Sequence, residues 1–301
     1  MKKDFLLLSQ YSREELLSLL ALAAELKEMR KRGEPHPLLK GKTLGMIFEK
    51  ASTRTRVSFE VGMYDLGGSA LFLSGNDIQL GRGEPIEDTA RVLSRYLDGI
   101  MIRTFEQEKV ETLARYASIP VINGLTDFAH PCQVIADLLT IREYRGGLEG
   151  KTLCFIGDGF NMANSLTVGC IKVGMKVRIA CPAGYRPDPG IMAWAQANGD
   201  YLCTEDIPAA VAGADVLYTD VWASMGQEEE AAARVRAFAG YQINDAVMAM
   251  AAPDAMVLHC LPAHRGEEIT AEVLEAHAAE IFDEAENRLH AHKAIMVHLM
   301  R

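Results

Sequence analysis

Hydrophobic positions along the chain follow two different periods, one typical of strands and one typical of helices. Short apolar runs such as TLGMIFE at 43–49 and GIMIRT at 99–104 predict strands that are buried on both faces. Stretches with apolar residues three and four positions apart follow these runs and predict amphipathic helices. This repeated order of strand and helix predicts an α/β fold with parallel sheets.

The first half of the chain opens on a helix marked by a capping box, Ser12 with Glu15, and this helix ends before Gly33. The two periods then predict four strands and four helices. They are strands at 43–49, 70–73, 99–104 and 120–124, and helices at 55–66, 85–97, 106–117 and 131–145.

A glycine-rich stretch, YRGGLEGK at 144–151, interrupts the alternation, which then restarts. The second half is predicted to contain strands at 151–156, 176–181, 200–203, 215–222 and 255–261, and helices at 161–173, 189–198, 207–212, 229–238, 270–276 and from about 284 onward. The break predicts two doubly wound parallel-sheet domains, 1–147 and 148–301, with an active-site cleft between them. The C-terminal helix is expected to pack back on the first domain.

The composition fits a soluble globular protein, because 49% of the 301 residues are hydrophobic and 24% are charged. No segment reaches the roughly 18 unbroken apolar residues that a membrane span needs. An apolar patch near the start ends after Leu8, which argues against a signal peptide. We therefore expect no membrane partner.

The six cysteines form no CxxC pair, and most of them lie in apolar runs. This pattern predicts buried free thiols in a reducing cytoplasm rather than a disulfide framework. They are Cys132, Cys154, Cys170, Cys181, Cys203 and Cys260.

The charge is distributed unevenly along the chain. The net charge of −10 argues against general nucleic-acid binding. Residues 1–150 carry 20 basic and 21 acidic side chains, whereas 151–301 carry 11 and 20. The first half is therefore suited to an anion and the second to a cation, although a solvated acidic surface explains the same difference.

Ligands of doubly wound sheets bind beyond the carboxyl ends of the strands, so the residues just after each strand are the most informative. Ser52-Thr53-Arg54-Thr55-Arg56 follows the 43–49 strand and enters a helix. A helix N terminus offers unpaired N–H groups, hydroxyls add donors, and the arginine fork fits phosphate oxygens. The stretch predicts a phosphate site, with a helix cap and two solvated arginines as the alternative.

Two further strand ends of the first half carry polar groups. Arg103 ends the 99–104 strand, and its alternative role is a surface ion pair. His130 precedes Pro131 at a predicted helix start, where the helix dipole favours a neutral imidazole. Together with Gln133 it suits a carbonyl or amide, while a capping histidine beside a surface glutamine is the alternative.

The second half has polar groups after three strands. GDGFNMANS, after 151–156, does not fit the dinucleotide fingerprint, because Met162 occupies the position of the third glycine and no ribose-binding acid follows. A nicotinamide-dependent dehydrogenase is therefore disfavoured. Asn161 and Asn164 remain available for a ligand. Asp220 follows residues 215–219 of the predicted 215–222 strand, and its carboxylate suits an ammonium group.

His259-Cys260 also follows a strand, which allows a metal site or a nucleophile. The metal interpretation is weak because no second pair stands at ligand spacing. A cysteine protease lacks any supporting arrangement. His290, His292 and His298 do not share a helical face, so we expect them at the surface.

Taken in order, these motifs resemble those of the aspartate/ornithine carbamoyltransferase family. The resemblance rests on Ser52-Thr53-Arg54-Thr55-Arg56, on HPCQ at 130–133 and on HCLP at 259–262, and it continues to FDEAENRLHAHKAI near the C terminus. The stretch DVWASMG at 220–226 resembles the ornithine branch. Phe160 departs from the pattern, since many relatives carry asparagine there.

The resemblance implies a site for carbamoyl phosphate and one for L-ornithine. The residues implied to bind carbamoyl phosphate are Ser52, Thr53, Arg54, Thr55, Gln79, Arg103, His130, Gln133, Cys260, Leu261 and Arg288. Gln79 belongs to a loop that in this family typically reaches a neighbouring subunit's site. The residues implied to bind ornithine are Asn164, Asp220, Ser224 and Met225, with Asp220 on the α-ammonium group and Asn164 on the carboxylate.

The implied reaction transfers the carbamoyl group to the δ-amine of ornithine and gives L-citrulline and phosphate. Arg54, Arg103, His130, Cys260 and Arg288 are the implied catalytic residues. Donors such as Arg54, Arg103 and His130 suit the developing oxyanion, and either Cys260 or the phosphate takes the amine proton. The chemistry requires no metal and no organic cofactor.

Several alternatives stay open at this point. The acceptor alternatives within the same reaction class are aspartate, N-acetylornithine, N-succinylornithine and putrescine, but DVWASMG at 220–226 favours a free α-amino acid with a cationic end. The resemblance implies a cytoplasmic homotrimer or a multiple of trimers. Either arginine biosynthesis or the reverse, catabolic direction fits the sequence.

Overall fold

The computed structural model of the chain describes residues 3–79, 83–223 and 230–301. Its contacts define two compact units, one made of Met1–Ala136 with Asn287–Arg301 and the other of Asp137–Glu286. The chain passes between the units twice, each time within a helix. The predicted domain boundary at 147/148 stays a prediction.

The first unit contains a four-stranded parallel sheet in the order β2–β1–β3–β4. Phe48 pairs with both Ser74 and Arg103, so the carboxyl ends of β2, β1 and β3 lie side by side. The direction of winding reverses between β1 and β3, which makes their carboxyl ends the topological switch point. The elements are α1 (Arg13–Lys31), β1 (Thr43–Phe48), α2 (Thr53–Asp65), β2 (Ser69–Ser74), α3 (Ile86–Leu93), β3 (Gly99–Arg103), α4 (Gln107–Tyr116), β4 (Val121–Leu125) and α5 (Pro131–Arg145), of which α5 continues into the second unit.

The second unit contains a five-stranded parallel sheet in the order β7–β6–β5–β8–β9. Its switch point lies between β5 and β8, where Leu153 pairs with both Val177 and Val216. The elements are β5 (Thr152–Ile156), α6 (Asn161–Lys172), β6 (Lys176–Ala180), α7 (Pro189–Asn198), β7 (Tyr201–Thr204), α8 (Ile207–Val211), β8 (Val216–Thr219), α9 (Ala231–Ala237), α10 (Asp245–Met248), β9 (Met256–His259), α11 (Ala271–Ala276) and α12 (Ala278–Met300), of which α12 ends in the first unit.

Each unit has an apolar core of its own. Ile47, Ile100 and Ile102 are fully buried in the first unit, and Leu217 and Val257 are fully buried in the second. Burying such a side chain stabilises the fold by about 1.5–3 kcal/mol. The strands are therefore held in register by side chains on both faces of each sheet, which fixes the strand ends in space.

The predicted α/β class and both parallel sheets are confirmed. The short helix Asp245–Met248 was not predicted. The C-terminal helix α12 begins at Ala278 rather than near 284, so that a single residue separates it from α11. Within the described ranges, none of the helices combines the length and the apolar composition that crossing a bilayer requires.

The predicted surface position is wrong for two of the three C-terminal histidines. His290 and His292 are buried, whereas His298 is exposed as expected. The prediction assumed that residues off a shared helical face are exposed. This does not hold here, because α12 is buried on almost every side from Asn287 to Val297. All six cysteines are free, but Cys203 and Cys260 are only half-buried.

Candidate active site

The first polar cluster is built at the switch point of the first unit. Ser52 caps α2: its hydroxyl oxygen accepts a hydrogen bond from the Thr55 N–H at 3.2 Å, and its O–H group donates to Thr55 Oγ1 at 3.0 Å. Thr53 and Arg54 occupy the first turn, whose N–H groups find no partner within the helix. The capped N terminus therefore presents donors and a positive dipole end beyond β1.

Arg288 of α12 links this helix start to α5. Its guanidinium donates to Thr55 Oγ1 at 2.9 Å and to Gln133 Oε1. All three side chains are buried. Burying an arginine is costly unless it is hydrogen-bonded, so these bonds hold a permanent positive charge inside the unit.

Arg103 and His130 complete the cluster. Arg103 ends β3 beside Phe48 of β1, which places it next to the loop that leads to Ser52. His130 is buried directly before α5. Burial lowers the pKa of His130 well below 6.5, and the nearby charges of Arg288, Arg103 and Arg54 lower it further. The predicted neutral imidazole stays a prediction, and desolvation and three cations favour it in addition to the helix dipole.

We expect His130 to remain neutral when the pH is lowered through 6.5, because protonation would add a fourth positive charge to a buried cationic cluster. The measurement is ¹⁵N NMR of histidine-labelled protein, with the His130 signal assigned from H130N. The prediction is that the ring keeps the chemical shifts of a neutral tautomer at pH 6. Shifts of an imidazolium at that pH would show that the cluster is not net positive around the ring.

Gln79 is placed differently from these residues. It is exposed in the loop after β2, where its carbonyl oxygen accepts a hydrogen bond from the Glu84 N–H at 3.1 Å. In residues 3–79 and 83–136, no hydrogen bond joins its side chain to Ser52 or Thr55. The role of Gln79 toward this cluster stays a prediction.

The second polar cluster lies beyond β8 and β9 in the second unit. Asp220 follows β8, and its Oδ1 accepts a hydrogen bond from the Val221 N–H at 2.8 Å. The Sγ atom of Cys260 lies within 4.8 Å of a carboxylate oxygen of Asp220. Burial raises the pKa of Asp220, and burial together with Asp220 raises the pKa of Cys260 well above 9.0. The thiol is therefore protonated at neutral pH.

Asn164 lies on α6, close to the loop after β5. Its Oδ1 accepts a hydrogen bond from the Asp188 N–H at 3.0 Å, which fixes the orientation of the buried amide. Gly159 lies in the same loop, where a Cβ atom would stand 2.3 Å from Pro187 N. The 185–188 segment and the loop therefore pack so closely that only glycine fits.

An ion pair that the sequence did not suggest borders the second cluster. Arg234 of α9 donates to Asp158 Oδ2 at 2.6 Å and to the Trp222 carbonyl oxygen at 3.0 Å. Burial raises the pKa of Asp158 to about 6, against the opposing effect of Arg234, and Asp220 raises it further. The pair ties the segment after Asp220 to the loop after β5. Its signal in the sequence was an acid two positions after the end of a strand.

Lys50 is a second residue that sequence reasoning passed over. It is buried after β1, pairs with Asp127 and lies 4.3 Å from the centre of the Phe105 ring. Its position inside the EKASTRTR stretch was the available signal. The pair fixes the loop that leads to His130.

Ser224 and Met225 lie outside the described residues.

The second cluster contains three side chains that could together bind a metal ion. The ligand atoms of Asp220, His259 and Cys260 lie within 4.8 Å of one another. Both ring nitrogens of His259 are already engaged, however. Nδ1 accepts a hydrogen bond from the Leu261 N–H at 2.9 Å, and Nε2 lies 3.0 Å from Glu268 Oε1. A metal at this site would have to displace one of these bonds.

Two hydrogen-bonded polar clusters thus lie at the carboxyl ends of strands in two parallel-sheet units, the place where α/β proteins of the doubly wound class bind their ligands. A family model described as "Aspartate/ornithine carbamoyltransferase, carbamoyl-P binding domain" matches residues 3–143. A second, described as "Aspartate/ornithine carbamoyltransferase, Asp/Orn binding domain", matches residues 149–299. The chain belongs to the aspartate/ornithine carbamoyltransferase family.

Individual relatives agree with this membership. The ornithine carbamoyltransferase of Syntrophotalea carbinolica is 60% identical over 301 residues, which cover all of both chains. The structure of the ornithine carbamoyltransferase from Pyrococcus furiosus is 50% identical, with a TM-score of 0.95 over 99% of this chain and 97% of that one. The Thermus thermophilus enzyme is 43% identical, with a TM-score of 0.90 over the full length of both chains.

Proposed function

We propose that this protein transfers the carbamoyl group of carbamoyl phosphate to the δ-amine of L-ornithine, giving L-citrulline and phosphate. The observation that carries the proposal is the positive cluster at the first switch point, where the buried Arg103 and Arg288 and the half-buried Arg54 lie close enough to His130 to lower its pKa. Such a cluster stabilises a bound dianion. The names of the relatives and the stretch DVWASMG at 220–226 support ornithine as the acceptor.

The first unit supplies the binding groups for carbamoyl phosphate in this proposal. Ser52, Thr53, Arg54 and Thr55 at the capped start of α2, together with Arg103, hold the phosphate. His130, with a neutral ring, donates to the carbamoyl oxygen. Gln133 holds the carbamoyl amide, and Arg288 orients Gln133 and Thr55 through the hydrogen bonds described above.

The second unit supplies the groups for ornithine. Asp220 pairs with the α-ammonium group, and Asn164, whose amide is oriented by Asp188, contacts the carboxylate. Ser224 and Met225 close over the substrate in this proposal. Cys260 and Leu261 face the reacting amine and the carbamoyl group. Because Asp220 is half-buried, a cation beside it is worth more than at an exposed site.

The reaction is an acyl transfer through a tetrahedral intermediate. The neutral δ-amine attacks the carbamoyl carbon, the carbonyl oxygen becomes an oxyanion near His130, Arg54 and Arg103, and the C–O bond to phosphate breaks. The attacking nitrogen loses one proton. The Cys260 thiol keeps its own proton at neutral pH, so it does not serve as the base. The proposal therefore assigns the proton to the departing phosphate.

A cytoplasmic homotrimer is part of the proposal. Six free thiols are suited to a reducing compartment. Val57 and Tyr64 on α2 and Leu71 and Phe72 on β2 are exposed apolar side chains, which a second copy of the chain would cover. Gln79, which follows β2 and is exposed, would then serve the site of a neighbouring subunit. Sedimentation equilibrium measures the mass, and a monomer would contradict this part of the proposal.

The proposed reaction is tested by product formation from carbamoyl phosphate and L-ornithine. We expect citrulline and phosphate in a one-to-one ratio, without an added nucleotide and with a chelator present. Phosphate release without citrulline would indicate hydrolysis and contradict the proposed transfer.

Acidification is expected to weaken ornithine binding through Asp158. As the pH falls through about 6, Asp158 gains a proton and Arg234 loses the buried one of its two anionic partners, while Glu230 remains. A charge-assisted hydrogen bond exceeds a neutral one by about 1 kcal/mol, so the ornithine KM should rise roughly fivefold. D158N, which is neutral throughout, should show the raised KM at pH 7.5 and a smaller further rise at pH 5.5. Identical pH profiles of the two proteins would exclude Asp158 as the cause.

A further inference from the structure

His259 is engaged by hydrogen bonds at its main-chain N–H and at both ring nitrogens, although the sequence suggested a metal site or a nucleophile at His259-Cys260. It ends β9, and its ring is fully buried beside Glu268, which is also fully buried. Its main-chain N–H donates to Glu284 Oε2 at 2.9 Å. The residue is therefore fixed through both its backbone and its side chain.

The hydrogen bonds of the ring determine its tautomer. The Leu261 N–H can only donate, so Nδ1, at 2.9 Å, must carry a lone pair. In the neutral ring the proton is then on Nε2, which donates to Glu268 Oε1 at 3.0 Å. The same carboxylate oxygen accepts a hydrogen bond from the His264 N–H at 2.6 Å. Glu268 thus holds the ring and the end of the following loop together.

The hydrogen bond to the His259 ring involves Leu261, whose backbone conformation is unusual. Its φ of 58° lies in the left-handed region, and it is the only non-glycine residue with positive φ in the described parts of the chain. That conformation is unfavourable for a residue with a Cβ, by roughly 1–2 kcal/mol. The bond from the Leu261 N–H to the ring two residues earlier has the pattern of an Asx turn, in which a side chain closes the turn.

We propose that His259 is a positioning residue that, with Glu268, holds Leu261 in its left-handed conformation and so orients the Cys260 thiol and the Leu261 backbone toward the substrates. This inference rests on the proposed carbamoyl transfer. It explains why a histidine that cannot offer a free ring nitrogen lies beside Asp220 and Cys260. His259 acts through Leu261 and Cys260, not on the reacting atoms.

The chemistry of the two ring nitrogens offers a matched pair of variants. In H259N the amide oxygen lies near the position of Nδ1 and can close the same turn with the Leu261 N–H. In H259Q the amide reaches the position of Nε2, toward Glu268, and leaves the turn without its acceptor. Both variants remove the ring, so any loss of packing is common to both.

Steady-state kinetics with both substrates, together with thermal unfolding, tests the inference. We expect H259N to keep kcat within about fivefold of the wild type and H259Q to lose roughly a hundredfold, because small misplacement of reacting groups costs about that factor. The two variants should have similar Tm values. A difference in activity without a difference in Tm would not arise from a merely structural role.

The outcomes separate the inference from the proposed function. Equal activity of H259N and H259Q, whether high or low, would overturn the positioning role while the wild type still makes citrulline. A wild type that makes no citrulline would overturn the proposed function itself. If H259Q fails to fold while H259N folds, the bond to Leu261 serves stability, and the positioning role is likewise overturned.

Discussion

Replacing Arg54 with alanine is expected to lower kcat by about 10²–10³, because one preorganised donor to a developing oxyanion contributes that much. Arg54 lies in the first turn of α2, half-buried, where the helix N terminus already favours negative charge. Its guanidinium also contributes to the field that keeps His130 neutral. The loss should therefore appear in the chemical step as well as in the KM for carbamoyl phosphate.

The control for this variant is R32A. Arg32 is exposed and pairs with the nearby Glu34, so its removal changes net charge by the same amount at a distant surface site. Rapid-quench measurement of a single turnover separates chemistry from product release. A near-normal rate for R54A would remove Arg54 from the reacting centre and leave Arg103 and Arg288 as the charges that hold the phosphate.

The second large effect is expected for D220N, which should raise the ornithine KM by about thirtyfold or more. Removing one partner of a desolvated charge pair costs roughly 2–5 kcal/mol, and asparagine keeps the shape of the side chain while it removes the charge. The KM for carbamoyl phosphate should change by less than about twofold, because the groups proposed to hold its phosphate, Ser52 to Thr55 and Arg103, belong to the first unit and Asp220 to the second.

The matched control is D200N, since Asp200 is an exposed carboxylate paired with Arg178 at 2.8 Å. Initial rates measured with each substrate varied in turn give the two KM values. An equal rise in both would mean that Asp220 supports the fold of the unit rather than the ornithine ammonium group. A D220N protein with an unchanged ornithine KM would assign the cation to another group.

The sequence predicted the strand-end clusters because parallel sheets place functional residues there whatever the order of the strands. The order itself was not predictable, since it depends on long-range packing. Only the observed order shows that β1 and β3 flank one switch point, and that Arg103 therefore lies beside the loop to Ser52. The types of residue at the strand ends indicated which groups could bind a ligand, although their spatial neighbours were not known.

Contacts made by the long C-terminal helix α12 could not be predicted from the sequence. The contact from Arg288 to Thr55 spans 233 positions, and no local period encodes such a pairing. His292 stacks on Phe59 at 3.8 Å between ring centres and hydrogen-bonds Ser58, although its helical position suggested solvent. Amphipathic periodicity identifies a buried face only when the opposite face is exposed, and most of this helix segment has no exposed face.

The most direct test of the account compares acceptors. Citrulline-type product is measured from carbamoyl phosphate with L-ornithine, N-acetylornithine, putrescine or aspartate, each alone, and kcat/KM is determined for each. We expect a value for ornithine at least about a hundredfold above the others, because only ornithine offers both an α-ammonium group for Asp220 and a free δ-amine. A higher value for N-acetylornithine or aspartate would contradict the proposed role of Asp220 and the assignment of ornithine as the substrate.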